Sequence, residues 1–442
     1  MKAFLAKYKR LNWKLLALLT ITLVYIGMIV IMVSDDKSPI HYGGDYLAFW
    51  SAGKIADEIS YSEIYDLEKL KIVQVSELKL LGFLESGSEN KFAPLPAPYF
   101  SFFVVPFQLL SRISVSAGYW LWNLLNLCVL LGYLNFFCRR VLLSSNTQFS
   151  TVTYLVLVIA SFPVFDNFLN GQVNILMLVC LGEYVRNATL KKPLISGIWL
   201  AGLLLKPQLL IIIIPIILFT RSWKTFFWFS IASTTIIGTS FILSGVTGNI
   251  SLIKLWLGYG IVIPSAAPEA MINWRMIGVY LNSLLASNYF GWIIAGIGSV
   301  ITILAVLPIM RRFPISASSE CVITITGVFS ATLAVTWHSH HHMALVLIPL
   351  LIYLSAYTLL SEKILFLWVI IAPVIYIGSL FITTFISISP SVEMKIGELL
   401  AISGFLSNLL ILFSLFHKYR YSRLKEPSFS PTQKNTKSFG DH

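Results

Sequence analysis

Long apolar runs alternate with short polar breaks along almost the whole chain. The runs cover 13–33, 118–138, 151–168, 172–185, 194–219, 225–244, 289–310, 320–337, 342–360, 364–386 and 397–416. A helix rises about 1.5 Å per residue, so about 20 apolar residues cross the hydrocarbon of a bilayer. The pattern predicts an all-α multi-pass membrane protein, a bundle of about ten to thirteen transmembrane helices.

One long polar stretch, 34–93, interrupts the pattern after the first run. It holds "GGDYLAFWSAGKIADEI" (43–59) and "SEIYDLEKLKIVQVSELKLL" (62–81). Both have helical apolar spacing and suit helices lying on the membrane surface. Next comes "FAPLPAPYFSFFVVPF" (92–107), where Pro94, Pro96 and Pro98 cannot occupy a helix interior. A helix is therefore expected to begin near Tyr99.

Composition agrees with this picture. Hydrophobic residues make up 57% and charged residues 12% of 442, the latter about half of what a soluble domain carries. The net charge of +12 is read as Lys and Arg at cytoplasmic span ends, attracting anionic membrane lipids rather than nucleic acid. Cys128, Cys138, Cys180 and Cys321 lie in or near apolar runs without CxxC spacing, so they read as small apolar side chains. The basic start (Lys2, Lys7, Lys9, Arg10, Lys14) places the N-terminus in the cytoplasm, and the run 13–33 is too long for a cleaved signal core. Residues 1–417 are expected to form one transmembrane domain, with 34–93 as its first extracytoplasmic loop. The segment 418–442 is expected to be a basic cytoplasmic tail, partly disordered.

Counting back from that tail puts 361–363, Arg311, Arg312 and 221–224 inside, and the segment 246–287 outside. Arg139, Arg140, Lys191 and Lys192 break the alternation. Two arrangements stay open for 92–219. In one, 194–219 breaks at "LLLKPQ" into a short hairpin and the proline-rich segment is re-entrant; in the other, the statistical charge rule is violated twice.

Polar residues at membrane level are costly and mark functional sites. With the broken spans, Asp45, "NGQVN" (170–174), "LKPQ" (205–208), "NWR" (273–275) and "HSHHH" (338–342) all face the outer side. They predict one polar cavity under the first outer loop. Asp45 could accept a proton from a hydroxyl, or merely cap a helix. Lys206, apolar on both sides, could hold a phosphate or snorkel to an interface. Arg275 could fork onto phosphate or anchor beside Trp274. A turn at Gly171 accounts for Asn170, whereas Gln172 and Asn174 could hydrogen-bond a sugar or cap a broken helix. On a helix His338 would share a face with His341 and His342, which permits zinc. No Cys and no separate acid accompanies the cluster, so phosphate or sugar binding by one or two imidazoles is preferred, and no metal is expected.

Together these stretches resemble glycosyltransferase family 87, within the C-type superfamily that uses polyprenyl-phosphate sugars. The matching pieces are "GDYLAFWSAGKIA", "FAPLPAPYFSFFVVPFQLL", "NGQVNILMLVCL", "SGIWLAGLLLKPQLLIIIIPIILFTRSWK" and "NWRMIGVYLN", in that order. The resemblance implies a C-type glycosyltransferase-like bundle with an outer-face active site and a catalytic carboxylate in the first outer loop, here Asp45. It also implies that the "LKPQ" break, with Lys206 and Gln208, shapes a lipid-phosphate groove. The family often carries Ser-Pro-His followed by Tyr-Asp where this chain has "WHSHHHM", so a histidine is kept and the following acid is absent.

The implied reaction moves a sugar, a mannose-like hexose, from a polyprenyl-phosphate donor to a lipid or glycan acceptor. It takes place outside the plasma (inner) membrane, in a single inverting displacement and without a cofactor. Lys206, Arg275 and one of His338, His340 and His341 would hold the departing phosphate, and Asn170, Gln172 and Asn174 would line the sugar site. No GxxxxGK[ST] or GxGxxG stretch occurs. A transporter or lipid flippase built on broken helices and a zinc-dependent hydrolase centred on the histidines are the competing readings.

Overall fold

The computed structural model describes residues 2–35, 38–85, 87, 89–142, 150–258, 267–310, 318–385 and 390–425. Arg311, Arg312 and the tail from 426 lie outside the described residues. Among the described residues seventeen α-helices follow one another: α1 (Lys2–Ser34), α2 (Gly44–Glu58), α3 (Leu67–Leu80), α4 (Val105–Leu110), α5 (Val115–Leu142), α6 (Thr151–Ile159), α7 (Phe162–Asn170), α8 (Asn174–Thr189), α9 (Pro193–Ala201), α10 (Ile213–Phe219), α11 (Trp223–Gly258), α12 (Trp274–Leu284), α13 (Phe290–Met310), α14 (Ser318–Val335), α15 (Ile348–Ala356), α16 (Glu362–Phe385) and α17 (Pro390–Lys425). This is an all-α multi-pass membrane protein.

Among the described residues, six helices are long and apolar enough to cross a bilayer: Lys14–Ser34, Val115–Leu142, Trp223–Gly258, Phe290–Pro308, Glu362–Ile382 and Gly397–His417. The pair α6 and α7, bent by 56°, makes up to seven. Several other predicted runs form shorter apolar helices, among them Pro193–Leu205, Pro207–Phe219, Glu320–Val335 and His341–Ala356.

Each break has a local cause. Pro163 opens α7 and forbids continuation of α6. Pro207 forces Lys206 out of the helical region, to φ −135° and ψ 85°, so the predicted break at "LKPQ" is present as two 3₁₀ turns around an extended lysine. At Gly245, φ is +64°, yet the helix resumes to Gly258, so the end predicted after 244 is a kink inside α11.

The first loop departs from the expected surface helices in one respect. Helix α3 keeps an outward face, with Ile72 68% and Leu80 81% exposed. In contrast, α2 is enclosed by protein: Tyr46, Leu47, Phe49, Trp50, Ala52 and Ile55 are all buried. Its Gly53 lies so close to α4 that a Cβ there would stand 2.2 Å from the Phe107 carbonyl oxygen. Buried Gln74 of α3 donates to Ser51 Oγ (2.9 Å) and to Leu95 O (2.7 Å), and its Oε1 accepts from Leu95 N (2.9 Å). Tyr65 donates to Tyr99 O at 2.6 Å and Trp256 of α11 to Pro98 O at 2.8 Å. Proline-rich backbone has few hydrogen bonds of its own, so these side chains fix it as a wall.

Candidate functional site

Asp45 sits in the first turn of α2, where the helix N-terminus favours a negative charge. The cap is Gly43, so Asp45 is not the N-cap the sequence allowed. Opposite it, α7 ends at Asn170, and Gly171 adopts the left-handed conformation (φ 64°, ψ 36°) that closes helices. Gln172 N then donates to Asn167 O at 2.9 Å. This turn aims the Gln172 side chain at α2, and its Nε2 donates to Asp45 Oδ2. The same amide's Oε1 accepts from Lys206 Nζ at 3.2 Å. The broken span 193–219 thus delivers its buried ammonium to the carboxylate of the first loop through one glutamine.

The histidine segment is not helical at its start, contrary to the face-sharing that a helix would give. Residues 336–338 form a bend, His340 is extended (φ −102°, ψ 171°), and a 3₁₀ helix begins at His341. Extension follows from pairing with the approach to α12: Ile272 N donates to Ser339 O at 2.8 Å, Met271 and His340 form an antiparallel bridge, and Asn273 Nδ2 donates to Thr336 O at 2.8 Å. The rings of His338 and His340 lie 4.6 Å apart, and those of His340 and His342 5.6 Å. His340 Nδ1 bonds to Ala270 O at 3.3 Å. A carbonyl only accepts, so that nitrogen carries the proton. Burial, then the neighbouring imidazoles, hold His338 well below the ordinary histidine range and His340 down to about 4. Both rings are therefore neutral at pH 7 and act as hydrogen-bonding groups rather than cations.

An acid does accompany the cluster, from a distant part of the chain. Asp166 of α7 accepts from His342 N at 3.0 Å and pairs with His342 Nδ1 at 3.2 Å, both through Oδ2. Asn170 Nδ2 donates to Asp166 Oδ1 at 2.9 Å. So Asn170 and Gln172, two residues apart, each secure a different carboxylate. Asp166 was legible as a lone charge inside the run 151–168, a costly placement that marks function by default.

Asp45, Asp166, Asn170, Gln172, Lys206, Gln208, His338, His340, His341 and His342 all line one cavity of about 760 Å³. Pro96, Pro98 and Tyr99 form part of its wall, and Trp256, Glu269, Tyr280, Trp337 and Glu398 line it as well. Lys206 is the only lysine or arginine among the described residues lining it. Two predicted members lie elsewhere. Asn174 is fully buried in the first turn of α8 and donates to Asn167 Oδ1 at 3.0 Å. Arg275 is buried at the start of α12, its guanidinium 4.2 Å from the Trp337 ring centroid and Nη1 donating to Trp337 O at 3.3 Å. It fixes the shape of the histidine segment from behind. Among the described residues, no three His, Cys, Asp or Glu side chains converge closely enough to hold a metal ion.

The profile of glycosyltransferase family 87 matches residues 97–361, more than half of the chain, and includes every lining residue named above except Asp45, Pro96 and Glu398. The chain belongs to glycosyltransferase family 87. No curated protein and no solved structure matches it. As a family 87 chain it is a membrane glycosyltransferase, acting on a sugar donor and an acceptor.

Proposed function

We propose that this glycosyltransferase moves a mannose-like hexose from a polyprenyl-phosphate donor to a lipid or glycan acceptor, at the extracytoplasmic face of the plasma (inner) membrane. The observation carrying this reading is the meeting of Asp45, Lys206 and the imidazoles, nearly 300 positions apart, in one cavity.

Asp45 is the general base. It takes the proton of the acceptor hydroxyl as that oxygen bonds to the anomeric carbon, while the bond from that carbon to the phosphate oxygen breaks with its electron pair. One displacement inverts the anomeric configuration and releases polyprenyl phosphate. Charge accumulates on that phosphate, and Lys206 is placed to stabilise it, with neutral His338 and His340 as hydrogen-bond partners. Gln208 and His341 line the same cavity. The donor arrives with its phosphate already on a lipid, so the reaction needs neither nucleotide nor metal.

Residues 1–417 act as one transmembrane domain and 418–442 as a cytoplasmic tail, both termini being cytoplasmic. Membrane lipids are the surroundings, and nucleic acid is not a partner. The test is Asp45→Asn in purified protein supplied with radiolabelled polyprenyl-phosphate mannose and extracted membrane lipids. Transfer is expected to fall by about 10²-fold or more; transfer near the wild-type rate removes Asp45 from the role of base.

A further inference from the structure

We propose that Gln172 is a positioning residue that keeps the base and the phosphate-binding cation apart, and not a sugar-binding residue. This rests on the roles proposed above for Asp45 and Lys206. Gln172 reaches both through opposite ends of one amide, Nε2 to Asp45 Oδ2 and Oε1 to Lys206 Nζ at 3.2 Å. An amide is the side chain that satisfies an acceptor and a donor at once without adding charge. Both of its hydrogen-bonding ends are thereby occupied, which leaves little capacity for a substrate hydroxyl.

Without that bridge the ammonium and the carboxylate are free to pair directly. Lys206 is 5% exposed, and in such surroundings opposite charges attract strongly. A direct pair would turn Lys206 away from phosphate and engage the carboxylate that must take a proton. The amide leaves Asp45 Oδ1 without a protein partner among the described residues, available to an acceptor hydroxyl. It leaves Lys206 two N–H donors for phosphate oxygens. The turn that places Gln172 is itself rigid: Gly171 is left-handed, and a Cβ there would stand 2.6 Å from Tyr46 Cβ.

The test reads binding, independently of transfer. Polyprenyl phosphate is titrated into purified protein, following the fluorescence of the cavity-lining Trp256 and Trp337. Gln172→Met is expected to weaken binding about tenfold, the order of one lost charge-assisted contact. Asp45→Asn alone leaves binding near wild type. The double variant regains it, because the carboxylate that Gln172 had held off Lys206 is gone, while Asp166 stays engaged by His342 and Asn170. Binding unchanged by Gln172→Met, or not restored by Asp45→Asn, overturns the proposal, since a merely structural glutamine gives no such rescue. Should Gln172→Met fail to fold, Gln172→Glu keeps the shape but ties Lys206 to a carboxylate. Its binding is expected to stay weak with or without Asp45→Asn, and wild-type affinity refutes the idea. Failure of the wild type to bind polyprenyl phosphate instead removes Lys206 from its phosphate role, and transfer by Asp45→Asn removes the base, so the three failures are distinguishable.

Discussion

Asp166 shows how a single side chain joins distant parts of the cavity. It satisfies both a backbone N–H and a ring nitrogen of His342, and its own Oδ1 is held by Asn170. His342 is buried, so removing the acceptor strands its N–H away from water. Asp166→Ala is expected to destabilise the protein by about 1–3 kcal/mol, the cost of an unmade buried hydrogen bond. A lowered thermal-unfolding midpoint in detergent is the measure, and an unchanged midpoint contradicts it. Arg275 teaches a different lesson: a cation flanked by Asn273 and Trp274 looks like a phosphate ligand, yet its contacts with Trp337 make it a brace for the histidine segment.

At the scale of elements, helix breaks build the site. Three of its polar groups stand where helices end: Gln172 after α7, Lys206 between two 3₁₀ turns, and the histidines before α15. Backbone groups freed at such breaks persist within a membrane only where protein or a polar cavity satisfies them. Two glycines with the same φ of +64° separate the effects of strain and of close packing. A Cβ at Gly245 meets nothing within 4 Å, whereas at Gly171 it meets Tyr46 Cβ at 2.6 Å. Gly245→Ala is expected to cost backbone strain alone, about 1–3 kcal/mol, because φ +64° with ψ −173° is a region that nearly only glycine adopts, and to keep polyprenyl-phosphate binding. Gly171→Ala adds a clash with the first atom of a buried side chain, which cannot rotate away, and is expected to abolish binding or folding. Folded yield and binding of Gly171→Ala as high as those expected of Gly245→Ala would show the turn to be dispensable.

For the molecule as a whole, the decisive question is which face of the membrane the cavity opens to. The topology proposed above, argued from the basic N-terminal start, expects it to be the outer one. Glu269 is exposed and lines the cavity, which makes it a reporter of that face. Glu269→Cys, in a background lacking exposed Cys128, is expected to react with a membrane-impermeant maleimide on intact cells. Labelling that requires permeabilised cells reverses the orientation, and with it the side on which the sugar is transferred.

The all-α membrane class was determined by the chain's own hydropathy, because apolar runs in a bilayer have only helical ways to satisfy their backbone. The proline at 207 and the left-handed glycine at 171 likewise act locally, so the breaks at "LKPQ" and "NGQVN" were readable one residue at a time. Which polar groups meet was not. Asp166 and His342 are 176 positions apart, and Asp45 and Gln172 are 127. Their contacts follow from how helices pack, which periodicity does not encode. Packing also enclosed α2, turned Arg275 and Asn174 away from the cavity, and unwound the histidine segment by pairing its backbone with the approach to α12. Sequence marks the residues whose burial is costly; tertiary structure alone decides which partner offsets the cost and which groups are left facing the cavity.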